Sequence, residues 1–120
     1  MTNIPVYQSL AQSLSDHKVE ALFGLMGDAN LFMVDHWVRQ HEGHFVSVAH
    51  EGSAVLMAMG YAHVTGDIGV ATVTHGPAVT NCVTALVEGV KGKVPIVLLA
   101  GDTPAENLLQ HQNVDQREIF

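Results

Sequence analysis

Short apolar runs alternate with segments of helical period along this chain. "VEALFGLM" (19–26), "HFVSVAH" (44–50), "GVATVTH" (69–75) and "VPIVLLAGD" (94–102) have strand length. Between them, "QSLAQSLSDH" (8–17) sets Leu10 and Leu14 four apart and predicts an amphipathic helix. Residues 31–41 repeat Leu31, Val34 and Val38 with Trp37 beside them, the i, i+3, i+7 face of a second helix that Asp28 or Asn30 would cap. The segment "SAVLMAMGYAHV" (53–64) is apolar on nearly every side, which predicts a helix buried on more than one face. Pro77 opens a last helix where its missing N–H costs nothing; Val79, Val83, Leu86 and Val90 form the stripe, and Lys91-Gly92-Lys93 closes it.

Strand-helix alternation with continuously apolar strands is the pattern of a parallel sheet covered on both faces. The expected fold class is therefore α/β, a doubly wound parallel sheet. Such sheets bind ligands beyond the carboxyl ends of their strands. Four segments leave strands at that edge: "GDAN" (27–30), "HEG" (50–52), "THGP" (74–77) and "GDTP" (101–104). Topology predicts that they converge.

Composition narrows the partners. The 120 residues are 48% hydrophobic and 14% charged, which suits one globular domain with a real core. The net charge of -7, with only Lys18, Arg39, Lys91, Lys93 and Arg117 as scattered bases, argues against nucleic acid and anionic membrane as partners. The single cysteine, Cys82, has no internal disulfide partner, and its apolar setting predicts a buried, inert thiol. The N-terminus lacks the pattern of a signal peptide, and "VPIVLLAG" is too short to span a bilayer, so a soluble protein of the reducing cytoplasm is expected.

Several motifs fail on inspection. After His50-Glu51 the second histidine of HExxH is replaced by Ala54, and "FGLMGDAN" has too few glycines for a GxGxxG dinucleotide turn. No phosphate-binding GxxxxGK[ST] loop and no GxSxG elbow occurs. His36, His41 and His44 include no i, i+4 pair, so solvated histidines are expected there rather than a metal site.

The loops taken together are more specific. "FGLMGDANL", "HEGSAVLMAMGYAHVTG", "GVATVTHGPAVTN", "VPIVLLAGD" and "HQNVD", in that order from about residue 4 onward, resemble the N-terminal pyrimidine-binding domain of thiamine diphosphate-dependent enzymes. These are the acetohydroxyacid synthase, pyruvate oxidase and 2-oxo acid decarboxylase group. The resemblance implies that Glu51, at the end of the second strand, hydrogen-bonds N1′ of the cofactor's aminopyrimidine. Proton exchange there lets the 4′-amino group remove the C2 proton of the thiazolium, and desolvation would raise the carboxylate pKa toward the working range.

The same resemblance implies roles for the other loop residues. Asp28 would polarise or protonate substrate-derived species, or serve as a plain cap. His75 stands where synthases usually carry serine in "TSGPG"; it would bind substrate and exchange protons with it, or simply face the strand end. His111 matches one histidine of a pair found in decarboxylases, with Gln110 in place of the second, whereas Gln112 matches a glutamine of synthases. Met26, Gly27, Thr74, Pro77 and Asn81 fall at cofactor-binding positions near the pyrimidine. Met26 replaces a common proline, and Ala78 and Val79 stand where Gly and Ala are usual.

Mg²⁺ and the diphosphate belong in that family to a separate domain with a GDG motif, which this stretch lacks. The chain is accordingly expected to be the leading part of a longer enzyme, to be incomplete at its C-terminal end, and to complete its site across a homodimer or homotetramer. A small 2-oxo acid is the implied substrate, with decarboxylation and carboligation both open. Two other classes stay open beside this one, a non-catalytic interaction module and a nucleotide-binding α/β domain.

Overall fold

A computed structural model of the chain describes residues 3–107 and 109–119. Helix α1 (Val6–Asp16) precedes strand β1 (Ala21–Gly24), helix α2 (Leu31–His41) and strand β2 (His44–Ser47). Helix α3 (Glu51–Thr65), strand β3 (Gly69–Val73), helices α4 (Pro77–Thr80) and α5 (Val83–Gly92), strand β4 (Ile96–Ala100) and a 3₁₀ turn (Gln116–Glu118) complete the order. The four strands pair in parallel in the order β2-β1-β3-β4, the α/β doubly wound arrangement that the alternation predicts.

Burial on both faces explains why the strands read as unbroken apolar runs. Along β1, Leu22 packs with Met33, Val34, Trp37 and Ala11 under α1 and α2, whereas Ala21 and Phe23 pack with Ala54, Val55 and Ala58 of α3. In β3, Val70 joins the first cluster and Ala71 and Val73 the second. These two central strands are buried at every position, and the edge strands β2 and β4 are half-exposed. The chain leaves β1 toward β2 on one side and returns to β3 on the other, so the order reverses between β1 and β3. That reversal opens a crevice at the carboxyl ends of these two strands.

Three helical expectations are corrected. Asn30 does occupy the cap position of α2, but its side chain makes no cap bond to the helix. Instead its Oδ1 accepts from Gly27 N at 2.8 Å, and its Nδ2 donates to Leu25 O and Thr72 Oγ1. The single helix expected after Pro77 is two helices, broken at Asn81-Cys82. Its inward face consists mainly of small residues, Ala78, Val79, Cys82, Ala85 and Gly89, while Val90 is 77% exposed. A Cβ on Gly89 would stand 2.9 Å from Ile96 Cδ1, so the helix packs closely on the β4 side chains there. Helix α3, expected to be buried on more than one face, buries Gly52, Ala54, Val55, Ala58 and Ala62 and leaves Leu56, Met57 and Val64 exposed.

Two caps fix the ends of α3, whose N-terminus lies at the carboxyl edge of the sheet. His50 precedes α3 in extended conformation, and its Nδ1 accepts from Gly52 N at 3.1 Å. Gly66 closes α3 with φ of 80°, a left-handed cap that glycine adopts without a Cβ penalty.

Candidate functional site

Three of the four predicted loops meet at the β1/β3 crevice. Asp28 follows β1, and its Oδ1 accepts a hydrogen bond of 2.7 Å from the Thr74 hydroxyl beyond β3. Ala29 N donates to the same hydroxyl oxygen at 3.3 Å. The third loop joins through its backbone, since Gly101 N donates to Thr74 O at 3.1 Å. Glycine is needed where these loops cross: a Cβ on Gly27 would lie 2.6 Å from Thr74 Cβ, and one on Gly101 would overlap Ala29.

His75 is buried within this junction, 4% exposed. Its Nδ1 lies 3.2 Å from Thr74 Oγ1 and 3.5 Å from Asp28 Oδ1. Nε2 is buried and has no hydrogen-bond partner. The Thr74 hydroxyl bond holds the Asp28 carboxyl below its ordinary value; slight burial opposes this and the nearby His75 reinforces it. Asp28 itself faces solvent, its side chain 66% exposed.

The fourth loop builds a separate polar group. Glu51 is the first residue of α3, half-buried at the carboxyl edge of the sheet, where the helix dipole favours a negative charge. Asn81, at the break between α4 and α5, donates from Nδ2 to Glu51 Oε2 at 2.9 Å. The two backbones also approach closely, since a Cβ on Gly52 would stand 3.1 Å from Asn81 O. Beneath them Cys82 is fully buried, its thiol pushed up to about 11 by burial first and by the Glu51 charge second. No contact links Glu51 directly to Asp28 or His75; both groups occupy the carboxyl edge of one sheet.

The remaining predicted residues are more dispersed. Met26 is 47% exposed and Pro77 is exposed at the start of α4. His111 is exposed, on the segment that passes the crevice. Gln112 is half-buried; its backbone carbonyl packs against Gly76, and its N–H donates to Gln110 Oε1. Among the described residues, no group of three or more His, Cys, Asp or Glu is placed to hold a metal ion. His36 and His41 stack edge to face at 5.7 Å on α2, and His44 is exposed on β2.

Gln116 is a site-building residue that the sequence pattern does not reveal. Its Oε1 accepts from Gly76 N at 2.7 Å and its Nε2 donates to Gly101 O at 2.9 Å, so it ties the 3₁₀ turn to the ends of β3 and β4. A glutamine so far along the chain carries no periodic signal, and only its two bonds to the strand ends expose its part.

Comparison with known proteins decides the lineage of this arrangement. Residues 4–119 match the family described as thiamine pyrophosphate enzyme, N-terminal TPP binding domain. The chain belongs to that family. It is 42% identical over 94 residues to an acetolactate synthase of Mycobacterium leprae, covering 78% of this chain and 15% of the relative. It is 38% identical to the acetolactate synthase large subunit of Haemophilus influenzae, and 37% identical to the acetolactate synthase isozyme 3 large subunit of Escherichia coli, covering 78% of this chain and 16% of either relative. The chain thus spans about one sixth of the length of the curated relatives it matches. The family description names a TPP binding domain, and in this chain that domain is an all-parallel sheet with a polar carboxyl edge.

Proposed function

We propose that this chain is the pyrimidine-binding domain of an enzyme that uses thiamine diphosphate to act on a small 2-oxo acid, and that Glu51 is its cofactor-activating carboxylate. The observation that carries the reading is the position of Glu51: a half-buried carboxylate at the carboxyl edge of the sheet, fixed by helix α3 behind it and by Asn81 beside it. A carboxylate accepts about four hydrogen bonds, so the bond from Asn81 leaves capacity for a ligand.

The residues present fit an aminopyrimidine. Bound thiamine diphosphate supplies an acidic thiazolium carbon that adds to a carbonyl and an electron sink for the bond cleaved or formed beside it. Glu51 holds a proton at N1′ of the ring, and Asn81 keeps the carboxylate oriented toward it. Thr74 and Gly27 shape the crevice wall, and Pro77 begins the helix that closes it. Asp28 and His75 face the substrate end, at the switch point between β1 and β3. The diphosphate and Mg²⁺ fall to residues outside this chain.

The similarity to acetolactate synthases favours joining of 2-oxo acid units, and His75 in the place of the usual serine favours decarboxylation, so the reaction is written as decarboxylation with or without carboligation. A homodimer or homotetramer accords with the exposed apolar residues of α3 and α5, Leu56, Val64, Val87 and Val90. Among the described residues no helix is long and apolar enough to cross a membrane.

The test is Glu51→Gln in the complete protein with thiamine diphosphate, Mg²⁺ and pyruvate. Loss of proton exchange at this position should lower turnover at least about a hundredfold with an unchanged circular dichroism spectrum. Unchanged turnover would refute the role of Glu51. Native mass spectrometry tests the assembly, the expected result being an oligomer with one cofactor per subunit.

A further inference from the structure

We infer that Asp28 and Thr74 hold His75 in its Nδ1–H tautomer, so that the buried Nε2 is presented as a bare acceptor to a ligand hydroxyl at the switch point. A count of protons fixes the tautomer. Thr74 has one hydroxyl hydrogen and two neighbours that could take it, Asp28 Oδ1 at 2.7 Å and His75 Nδ1 at 3.2 Å. Asp28 is held in its ionised form and can only accept, so the hydrogen goes to Asp28 at the shorter distance. The lone pairs of Thr74 Oγ1 then receive the Ala29 N–H and the third neighbour, which must be an Nδ1–H. A bare Nδ1 would set its lone pair against those of both Thr74 Oγ1 and Asp28 Oδ1, 3.5 Å away.

With the proton on Nδ1, a neutral His75 has a lone pair on Nε2. This atom is buried, lacks a partner, and belongs to a side chain 4–5% exposed. A buried acceptor without a donor is unfavourable, and such groups persist where function uses them. The donor it is built for is a hydroxyl group, and the identity of that hydroxyl rests on the proposed function: a 2-oxo acid gains one when its carbonyl carbon is attacked and the resulting oxyanion takes a proton from solvent. Thr74 and Asp28 are positioning residues in this scheme, because they act on the ligand only through His75. The tautomer itself is independent of the reaction.

The experiment is ring-nitrogen NMR on the complete protein labelled only with ¹⁵N-histidine, at about pH 8, above the usual histidine pKa. His75→Gln identifies the signal. The expected wild-type result is a protonated Nδ1 and a bare Nε2. Thr74→Val, checked for folding by circular dichroism, should give a mixture of tautomers, and Thr74→Ser, which keeps the hydroxyl, should restore the single form. A protonated Nε2 in the wild type, or a Val variant with an unaltered tautomer, overturns the relay. If the Val variant does not fold, the wild-type spectrum still decides.

The ligand half is tested on the same protein loaded with thiamine diphosphate. Lactate, which carries the hydroxyl, should move the Nε2 resonance, and propionate, which lacks it, should not. An equal response to both, or none to lactate, overturns it. A protein that shows the expected tautomer but does not turn over 2-oxo acids refutes the proposed function and leaves the relay standing. An active protein with a protonated Nε2 does the reverse.

Discussion

The two polar groups at the carboxyl edge of the sheet are built in opposite ways. The His75 group is sealed on its backbone side: loops from β1, β3 and β4 cross there, Gln116 ties two of them together, and the imidazole is buried with Nε2 left unpartnered. The Glu51 group is open: one carboxylate at a helix start is steadied by a single amide from the α4–α5 break and stays half-buried. The difference teaches where each group obtains its geometry. Backbone crossings fix His75, so its position depends on small residues packed without clearance. Glu51 is positioned by the helix behind it, which leaves its carboxylate accessible to a ligand.

The same kind of substitution should therefore act unequally at the two sites. Gly76 has φ of 60° and ψ of -115°, and a Cβ there would overlap the Gln112 carbonyl. Gly76→Ala should lower unfolding free energy by about 3 kcal/mol in urea titrations, with the 109–119 segment losing protection from hydrogen exchange. Gly52→Ala, beside Glu51, meets Asn81 O at 3.1 Å and the movable His50 ring at 3.2 Å and gains helix propensity, so its stability should change by less than about 1 kcal/mol. Equal losses at both positions would erase the distinction between sealed and open.

A smaller effect is expected from Asn81→Ala. Removing a hydrogen bond to a charged group at an exposed amide should cost about 1.5 kcal/mol in transition-state stabilisation, seen as roughly a tenfold fall in kcat/KM with little change in Tm. The open group should show this separation of activity from stability, and the sealed group should not.

Asp28 gives a pH test of the sealed group. Its carboxyl is held below the ordinary 3.8 by the Thr74 hydroxyl, so the folded state binds this proton less readily than the unfolded chain. The stabilisation is then fully present above about pH 4 and lost as pH falls through the folded value. Asp28→Asn should lower Tm slightly at neutral pH, and the gap to wild type should close in acid. A gap that widens in acid would contradict the assigned bond.

The smallest effect concerns Cys82 beneath the open group. With its thiol pushed up to about 11 and its side chain fully buried, alkylation at neutral pH should be slow in native protein and should accelerate only through the unfolding transition. Because the Glu51 charge contributes to that rise, Glu51→Gln should lower the thiol pKa a little in a pH-dependent alkylation series.

How much of this was legible depends on whether the signal is local. Helix α2 coincides in extent with the 31–41 periodicity, but the face it buries is Met33, Val34 and Trp37, while Leu31 and Val38 of the expected stripe are 43% and 39% exposed. The strands were legible as apolar runs, although each is shorter than its run, since parallel pairing ends where the loops turn away. The break at Asn81-Cys82 was hidden, because the valine stripe continues through it while the face that packs is made of alanine, cysteine and glycine. The orientation of α3 was hidden for a related reason: a helix apolar all round has no periodicity to say which side is covered.

The candidate site divides in the same way. Convergence of the Asp28, Thr74 and Gly101 loops followed from α/β topology alone. The pairing of Asn81 with Glu51 joins residues thirty apart, and the Gln116 bridge to Gly76 joins residues forty apart. Neither is visible in any local pattern. Asn30 shows the limit from the other side: its position before α2 reads as a cap, yet its amide is used to staple the β1 loop to Thr72.

The central claim is that Glu51 activates the cofactor, and the most direct measurement is the rate at which the C2 proton of bound thiamine diphosphate exchanges with deuterium. It is read by acid quench and NMR in the complete protein and in its Glu51→Gln variant. Fast exchange is expected in the wild type and a fall of at least about a hundredfold in the variant, with the cofactor still bound. Equal exchange rates in the two proteins, both saturated with cofactor, would contradict it.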